Sequence, residues 1–132
     1  MALMTIAKGR SKITETIFEN RMNHVELLNQ MGSSIRLKDN IAYINGVKKL
    51  RGRTLVGLDL RSSAALIIAA LTSNSISYVY GLEHLDRGYE NFELKLSGLG
   101  IKIKRQKTSN VDMIDEQNSN FNKKNFSEIK AA

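Results

Sequence analysis

The longest apolar run in the chain is Ala64-Ala65-Leu66-Ile67-Ile68-Ala69-Ala70-Leu71. It leaves no polar face, so it predicts a helix buried on all sides. Asp59 and Ser62 stand just before it, and either can cap the helix by accepting a bond from a free backbone N–H. Arg61 stands at the same end. A helix N-terminus carries partial positive charge and favours anions over cations. Two readings follow for Arg61. Either Asp59 supplies the anion and the pair is structural, or Arg61 and the helix end together hold a ligand carboxylate or phosphate.

Shorter patterns fill the rest of the chain. Residues 2–8 read as the last turns of a helix ended by Gly9; a helix without an N-cap suggests that sequence is missing upstream. Residues 12–17 read as a strand, with Ile13 and Ile17 apolar and Thr14 and Thr16 β-branched. A loop over 18–21 follows. Residues 22–31 then read as a helix with Met22, Val25 and Leu28 on one face, stopped by Gly32. Ile35 and Leu37, the turn Asp39-Asn40, and Ile41, Tyr43 and Ile44 predict a β-hairpin. Residues 47–53 read as a solvated basic connector. Residues 54–58 form a short strand that feeds the buried helix.

Ser73-Asn74 breaks that helix. Ile76, Tyr78 and Tyr80 predict the next strand, and 81–88 a loop holding His84, Asp86 and Arg87. Tyr89, Phe92, Leu96 and Leu99 mark an amphipathic helix ending at Gly100. Ile101 and Ile103 alternate with lysines in a last strand. From Thr108 the pattern disappears into Asn, Ser, Lys and acids. Such a segment buries too little apolar surface to offset the entropy of ordering. The expected organisation is therefore an ordered part, 1–107, and a disordered tail, 108–132.

Two segments read alike. Each runs helix end, strand, loop with an arginine, helix, glycine, strand: the first through Arg21 and Gly32, the second through Arg87 and Gly100. Superposing them gives a β-α-β-α-β-β unit. The first copy lacks its opening strand and the second its closing strand, which implies an incomplete chain. The fold class is α/β, and in open α/β sheets ligands sit beyond the carboxyl ends of strands. Arg21, Arg61 and Arg87 all fall there. Three arginines at one rim repel unless an anion joins them, and the planar fork of arginine suits carboxylate and phosphate.

Charge agrees with an anionic partner. The net charge is +7 over 132 residues, and the tail carries three lysines against four acids. Charge alone does not separate nucleic acid from a phosphorylated small molecule. A cluster of arginines at loops favours the small anion, because a nucleic-acid surface spreads its cations along a face. There is no cysteine, which excludes disulfides and thiolate chemistry and fits a reducing cytoplasm. No signal peptide or membrane span is visible. His24 reads as a capping or packing histidine. His84 and Asp86 are two apart and can orient each other, but no nucleophile completes a triad. Two histidines and scattered acids are too few for a metal site. Glu19 and Arg21 read either as a solvated pair or as part of the rim.

Three stretches carry a resemblance. Ile13-Thr14-Glu15-Thr16-Ile17-Phe18-Glu19-Asn20-Arg21 with His24-Val25, Asp59-Leu60-Arg61-Ser62-Ser63-Ala64, and His84-Leu85-Asp86-Arg87-Gly88-Tyr89-Glu90 are similar, in order and spacing, to signatures of the UDP-N-acetylglucosamine enolpyruvyl transferases. The resemblance implies an inside-out α/β barrel domain built from repeated β-α-β-α-β-β units, in an enzyme of two globular halves. It implies transfer of enolpyruvyl from phosphoenolpyruvate to the 3'-hydroxyl of UDP-N-acetylglucosamine with release of phosphate, the first committed step of peptidoglycan synthesis. No cofactor is implied.

By motif, the resemblance puts Ile17 at the nucleotide-sugar contact and Arg21, Arg61 and Arg87 around the phosphoenolpyruvate site, with Glu19 among the substrate-binding residues. It gives Asp59 the place of the acid that orients Arg61, and Arg87 that of the residue engaging substrate on closure. The family's lysine and asparagine near its start, its proton-donating loop, the acid that receives the sugar hydroxyl and the opposite half have no counterpart here. A lone chain is therefore expected to be inactive, with the missing half as a possible partner. Two rival readings stand beside this one. The first is a non-catalytic basic module for nucleic acid or another polyanion, disfavoured by the scarcity of aromatics near the lysines. The second is a poorly folded remnant with exposed sheet edges.

Overall fold

The structure is a computed structural model and describes residues 1–19, 21–108 and 126–131. A 3-10 turn at Ala2–Thr5 precedes β1 (Arg10–Thr14), α1 (His24–Gln30), β2 (Ser34–Lys38) and β3 (Ile41–Asn45). Then come β4 (Thr54–Val56), α2 (Leu60–Ala70), β5 (Ser77–Tyr80), α3 (Leu82–Leu85), α4 (Phe92–Gly98), β6 (Ile103–Thr108) and β7 (Phe126–Ala131).

The strands form two sheets, with orders β1-β3-β2 and β4-β5-β7-β6. In the first, β3 is antiparallel to both neighbours. In the second, β7 is antiparallel to both β5 and β6, and β4 lies parallel to β5. The order β5-β7-β6 thus repeats β1-β3-β2, as the sequence repeat implies. One expectation is overturned here. The second unit has its closing strand, β7, drawn from the segment read as a disordered tail. Ile129 and Ala131 on β7 are fully buried and Lys130 between them is not, which is the alternation of a half-buried strand. Residues 109–125 and Ala132 lie outside the described residues.

A single core joins the two units. Leu28 of α1 and Met31 just after it, Ile44 of β3, Leu66, Ile67 and Ala69 of α2, Val79 of β5 and Ile129 of β7 are buried in it together. Helix α2 lies at the centre because its apolar run can bury almost any side. Its start is fixed by a reciprocal capping box. Asp59 Oδ1 accepts the N–H groups of Arg61 and Ser62, both at 2.8 Å, and Ser62 Oγ accepts the Asp59 N–H at 2.9 Å. The helix is not buried all round: Ile68 is 41% exposed, on the side that its packed neighbours do not reach.

Other boundaries shift for identifiable reasons. β1 stops at Thr14, not Ile17, because its partner β3 ends opposite it at Ile41. The Glu15 carboxylate then binds the N–H groups of Ile17 and Phe18 and turns the chain. The helix over 2–8 is only the short 3-10 turn, and α1 begins at His24 rather than Met22. The connector 47–53 is not merely solvated. Leu50 is fully buried and bridges to Ser73. In β5 the core-facing residues are Ser77 and Val79; Ile76 lies outside the strand and exposed, and Tyr78 and Tyr80 pack with Val56 on the other face. Residues 81–88 contain the helical turn α3, and Leu99 ends α4 exposed instead of packed. No helix among the described residues is long and apolar enough to cross a membrane.

Candidate functional site

The loops after β1, β4 and β5 carry Arg21, Arg61 and Arg87. The last two loops are pressed together by backbone contacts. The Gly57 N–H donates to the Tyr80 carbonyl at 2.9 Å, which extends the parallel pairing of β4 and β5 past their ends. Gly81 follows with φ +79°, and a Cβ there would lie 2.3 Å from the Gly57 carbonyl oxygen. Only glycine meets both demands. Further on, a Cβ at Gly88 would lie 2.4 Å from Leu60 Cδ1. The residue after Arg87 therefore sits against the residue before Arg61.

The first unit meets this rim through Glu15 and His24. Glu15 Oε1 accepts the Ile17 N–H at 2.8 Å and the Phe18 N–H at 3.3 Å. Its carboxyl is held below the usual carboxylate range, first by the Ile17 N–H, then by that of Phe18, with the fields of Arg21 and Arg61 adding to both and burial opposing. One carboxylate thus feels two of the three arginines. Arg21 also stacks over the Phe18 ring, 3.4 Å from its centroid. His24, at the start of α1, feels the Asp59 carboxylate from the start of α2.

None of the three guanidinium groups is in an ion pair with a described residue. The Asp59 carboxylate is used as a helix cap and binds the backbone N–H of Arg61, while no side-chain ion pair joins the two. Arg61 and Arg87 are exposed and Arg21 is half-buried. Arg61 and Arg87 thus stand on the loops after β4 and β5, which are neighbours in one sheet, and Arg21 stands on the loop after β1 of the other sheet, with the fields of Arg21 and Arg61 both reaching Glu15; arginines without ion pairs can hold an anion. Ile17 stands at the same loop, 74% exposed, with Phe18 and Leu58 also exposed.

Glu19 lines an open groove of about 450 Å³ with Met22, Asn23, Glu26, Leu37 and Asp39. One sequence expectation fails here. His84 and Asp86 do not pair, because residues two apart on a helical turn point to different sides. His84 Nε2 faces Glu83 at 3.9 Å, and Asp86 is taken by Arg105 of β6. Sequence reading also missed Glu15 and Arg105. The signal for Arg105 is slight: it is the one arginine among the lysines of the last predicted strand.

His24 gives a pH prediction. Burial pushes its pKa below the ordinary 6.5, the chain's amino group adds to that, and Asp59 opposes. Below pH 6.5 the unfolded chain therefore takes up a proton that the folded chain resists. This stabilisation is complete above pH 6.5 and is lost as the pH falls through the window below it. Urea midpoints measured at about pH 8 and about pH 5.5 should fall on acidification, and His24→Gln should reduce the fall. An equal fall in both proteins would refute the assignment.

Comparison with known proteins gives the fold and the loops a context. The UDP-N-acetylglucosamine 1-carboxyvinyltransferase of Prochlorococcus marinus subsp. pastoris is 78% identical over the whole chain, which spans 29% of that protein. The enzyme of the same name from Trichormus variabilis is 45% identical over 90% of the chain and 27% of its own length. Among solved structures, the enolpyruvyl transferase NikO from Streptomyces tendae matches 71% of this chain and 22% of its own, with TM-score 0.65 and 29% identity. An EPSP synthase from Acinetobacter baumannii matches 96% of this chain and 26% of its own with TM-score 0.62 at 15% identity, a likeness of fold alone. The sequence model of the EPSP synthase (3-phosphoshikimate 1-carboxyvinyltransferase) family matches residues 1–96. All three arginine loops lie inside that match, and the chain belongs to the EPSP synthase family.

Proposed function

We propose that this chain supplies the arginine rim of a UDP-N-acetylglucosamine 1-carboxyvinyltransferase. The observation that carries the reading is the set of three arginines, without an ion pair among the described residues, on the loops after β1 of one sheet and after the paired strands β4 and β5 of the other. In the reaction the sugar 3'-oxygen bonds to C2 of phosphoenolpyruvate, the bond from C2 to the phosphate oxygen breaks, the hydroxyl proton is lost and inorganic phosphate leaves. Phosphoenolpyruvate brings a carboxylate and a phosphate, and the departing phosphate keeps its charge. Fixed cations that need no reorganisation stabilise that charge throughout. Arg61 and Arg87 act as direct ligands and Arg21 as the third. Asp59 acts by fixing the loop that presents Arg61, and the exposed Ile17 backbone meets the nucleotide sugar. We assign the reaction to peptidoglycan synthesis, which the relatives' name implies, and place it in the cytoplasm, which the absence of cysteine fits.

The test uses the full chain in its larger setting. Residues 1–132 replace the matching segment of the Prochlorococcus marinus subsp. pastoris relative, and phosphate release is followed. Release that requires both phosphoenolpyruvate and UDP-N-acetylglucosamine supports the reading. A folded chimera that releases none contradicts it.

One observation favours a second reading, a polyanion surface. The outer face of the first sheet is a grid of three rows: Arg10, Asn45 and Ser34; Lys12, Tyr43 and Arg36; Thr14, Ile41 and Lys38. It holds four cations and no acid, and its one aromatic ring lies between Lys12 and Arg36. The sequence separates these residues, so the scarcity of aromatics near the lysines was a feature of the order along the chain and not of the folded surface. Single-stranded nucleic acid places phosphates on such cations and a base on the ring. On this reading the 132-residue chain binds a single-stranded oligonucleotide with steep salt dependence, and K12A/R36A lowers the slope by about 1.4. An unchanged slope would remove it.

A further inference from the structure

We infer that Arg105 is a positioning residue for Arg87, a role that rests on the reading of Arg87 as an anion ligand. Arg105 lies on β6 opposite Ile129 of β7, so its side chain points to the face on which α3 and α4 pack. Its guanidinium holds Asp86 in a fork: Nη2 donates to Oδ1 at 2.7 Å and Nη1 to Oδ2 at 3.1 Å. Its Nε lies 3.3 Å from Glu93 Oε1 at the start of α4, an ion pair without hydrogen-bond alignment. The fork with Asp86, reinforced by Glu93, holds the guanidinium firmly in its charged form.

This clamp grips the segment that carries Arg87 on both sides. Asp86 is the residue before Arg87, and Glu93 begins the helix after it. Leu85 anchors the same segment in the core, and the N–H groups of Gly88 and Tyr89 return to the Leu85 carbonyl. The clamp has two consequences. It fixes the backbone from which Arg87 projects, and a bidentate fork fixes direction as well as distance. It also occupies the carboxylate nearest in sequence to Arg87, so the Arg87 charge stays available to a ligand. The pair lies 19 residues apart in the chain, and no local motif contains both partners.

The test is a double-mutant cycle in the chimera, reading kcat, KM for phosphoenolpyruvate and thermal unfolding. Arg105→Gln should lower kcat/KM for phosphoenolpyruvate by about tenfold or more. Asp86→Asn cuts the same fork from the other side and should act alike, which covers the case in which Arg105→Gln does not fold. If Arg105 works through Arg87, the double variant R87A/R105Q is no worse than R87A alone. A purely structural clamp would lower stability and leave kcat/KM of the folded variant unchanged. Losses that multiply in the double variant, or an unchanged kcat/KM in folded R105Q, overturn the inference. If R87A itself has no effect, the reading of the rim fails together with it; if R87A has an effect and R105Q has none, the clamp alone fails.

Discussion

Arg87→Ala in the chimera is expected to lower kcat/KM for phosphoenolpyruvate by about 10²- to 10³-fold, the range for removing one preorganised donor from a developing charge. The physical case rests on what Arg87 does not do. It is exposed and forms no ion pair with a described residue. Its removal therefore sacrifices no interaction that holds the fold, and thermal unfolding should barely move. The neighbouring Asp86 is committed to Arg105, so no carboxylate is left unpaired by the change. Arg87→Lys keeps the charge and loses the fork, and it should recover only part of the loss. Steady-state kinetics beside a thermal melt separates the outcomes. Full activity in Arg87→Ala would remove this residue from the site.

Ile129→Asp should have the largest effect on folding. Ile129 is fully buried on β7 and pairs with Val79 on one side and Arg105 on the other. A carboxylate there would lose its hydration on the core side of the sheet. Burying an unpaired charge is among the few single changes that cost more than about 4 kcal/mol, against a total stability of about 5–15 kcal/mol for an ordinary domain. The 132-residue chain should then lose its cooperative urea transition. Ile129→Val, which removes one methylene, should cost only about 1 kcal/mol and keep it. If Ile129→Asp unfolds with an unchanged midpoint, β7 is not part of the sheet.

That prediction falls where the sequence was hardest to read. The alternation of Ile129 and Ala131 about Lys130 is present in the chain. It is only a few residues long and follows a polar stretch, and a window average hides it. β7 pairs with the strand before it, β6, but residues 109–125 separate the two in the chain, so no tight-turn signal announces the pairing. By contrast, the hairpin of β2 and β3 declares itself at Asp39-Asn40, where Asp39 adopts φ +53°. The capped helix α2 was legible because Asp59, Ser62 and the apolar run are contiguous. The placing of three arginines after three strands was legible, since loop position follows from element order.

What stayed hidden depends on direction. Glu19 and Arg21 are two apart in a loop, and nothing in their spacing tells that Glu19 turns toward the groove lined by Asn23 and Asp39. Glu15 looked like an ordinary strand residue, yet its carboxylate binds two amides and shapes the loop that holds Ile17. Asp86 looked like a partner for His84, and only the pairing of β6 with β7, on which α3 packs, gives it to Arg105. The buried face of β5 was misjudged for the same reason. Apolar residues occupy both parities there, and the sheet's neighbours choose which side is covered.

The most direct test of the rim is a crystal structure of the chimera with phosphoenolpyruvate bound. The guanidinium groups of Arg21, Arg61 and Arg87 should lie within about 3.2 Å of its carboxylate or phosphate oxygens, with Asp86 still in the fork of Arg105. A ligand held elsewhere, with the three arginines facing solvent, would contradict the account.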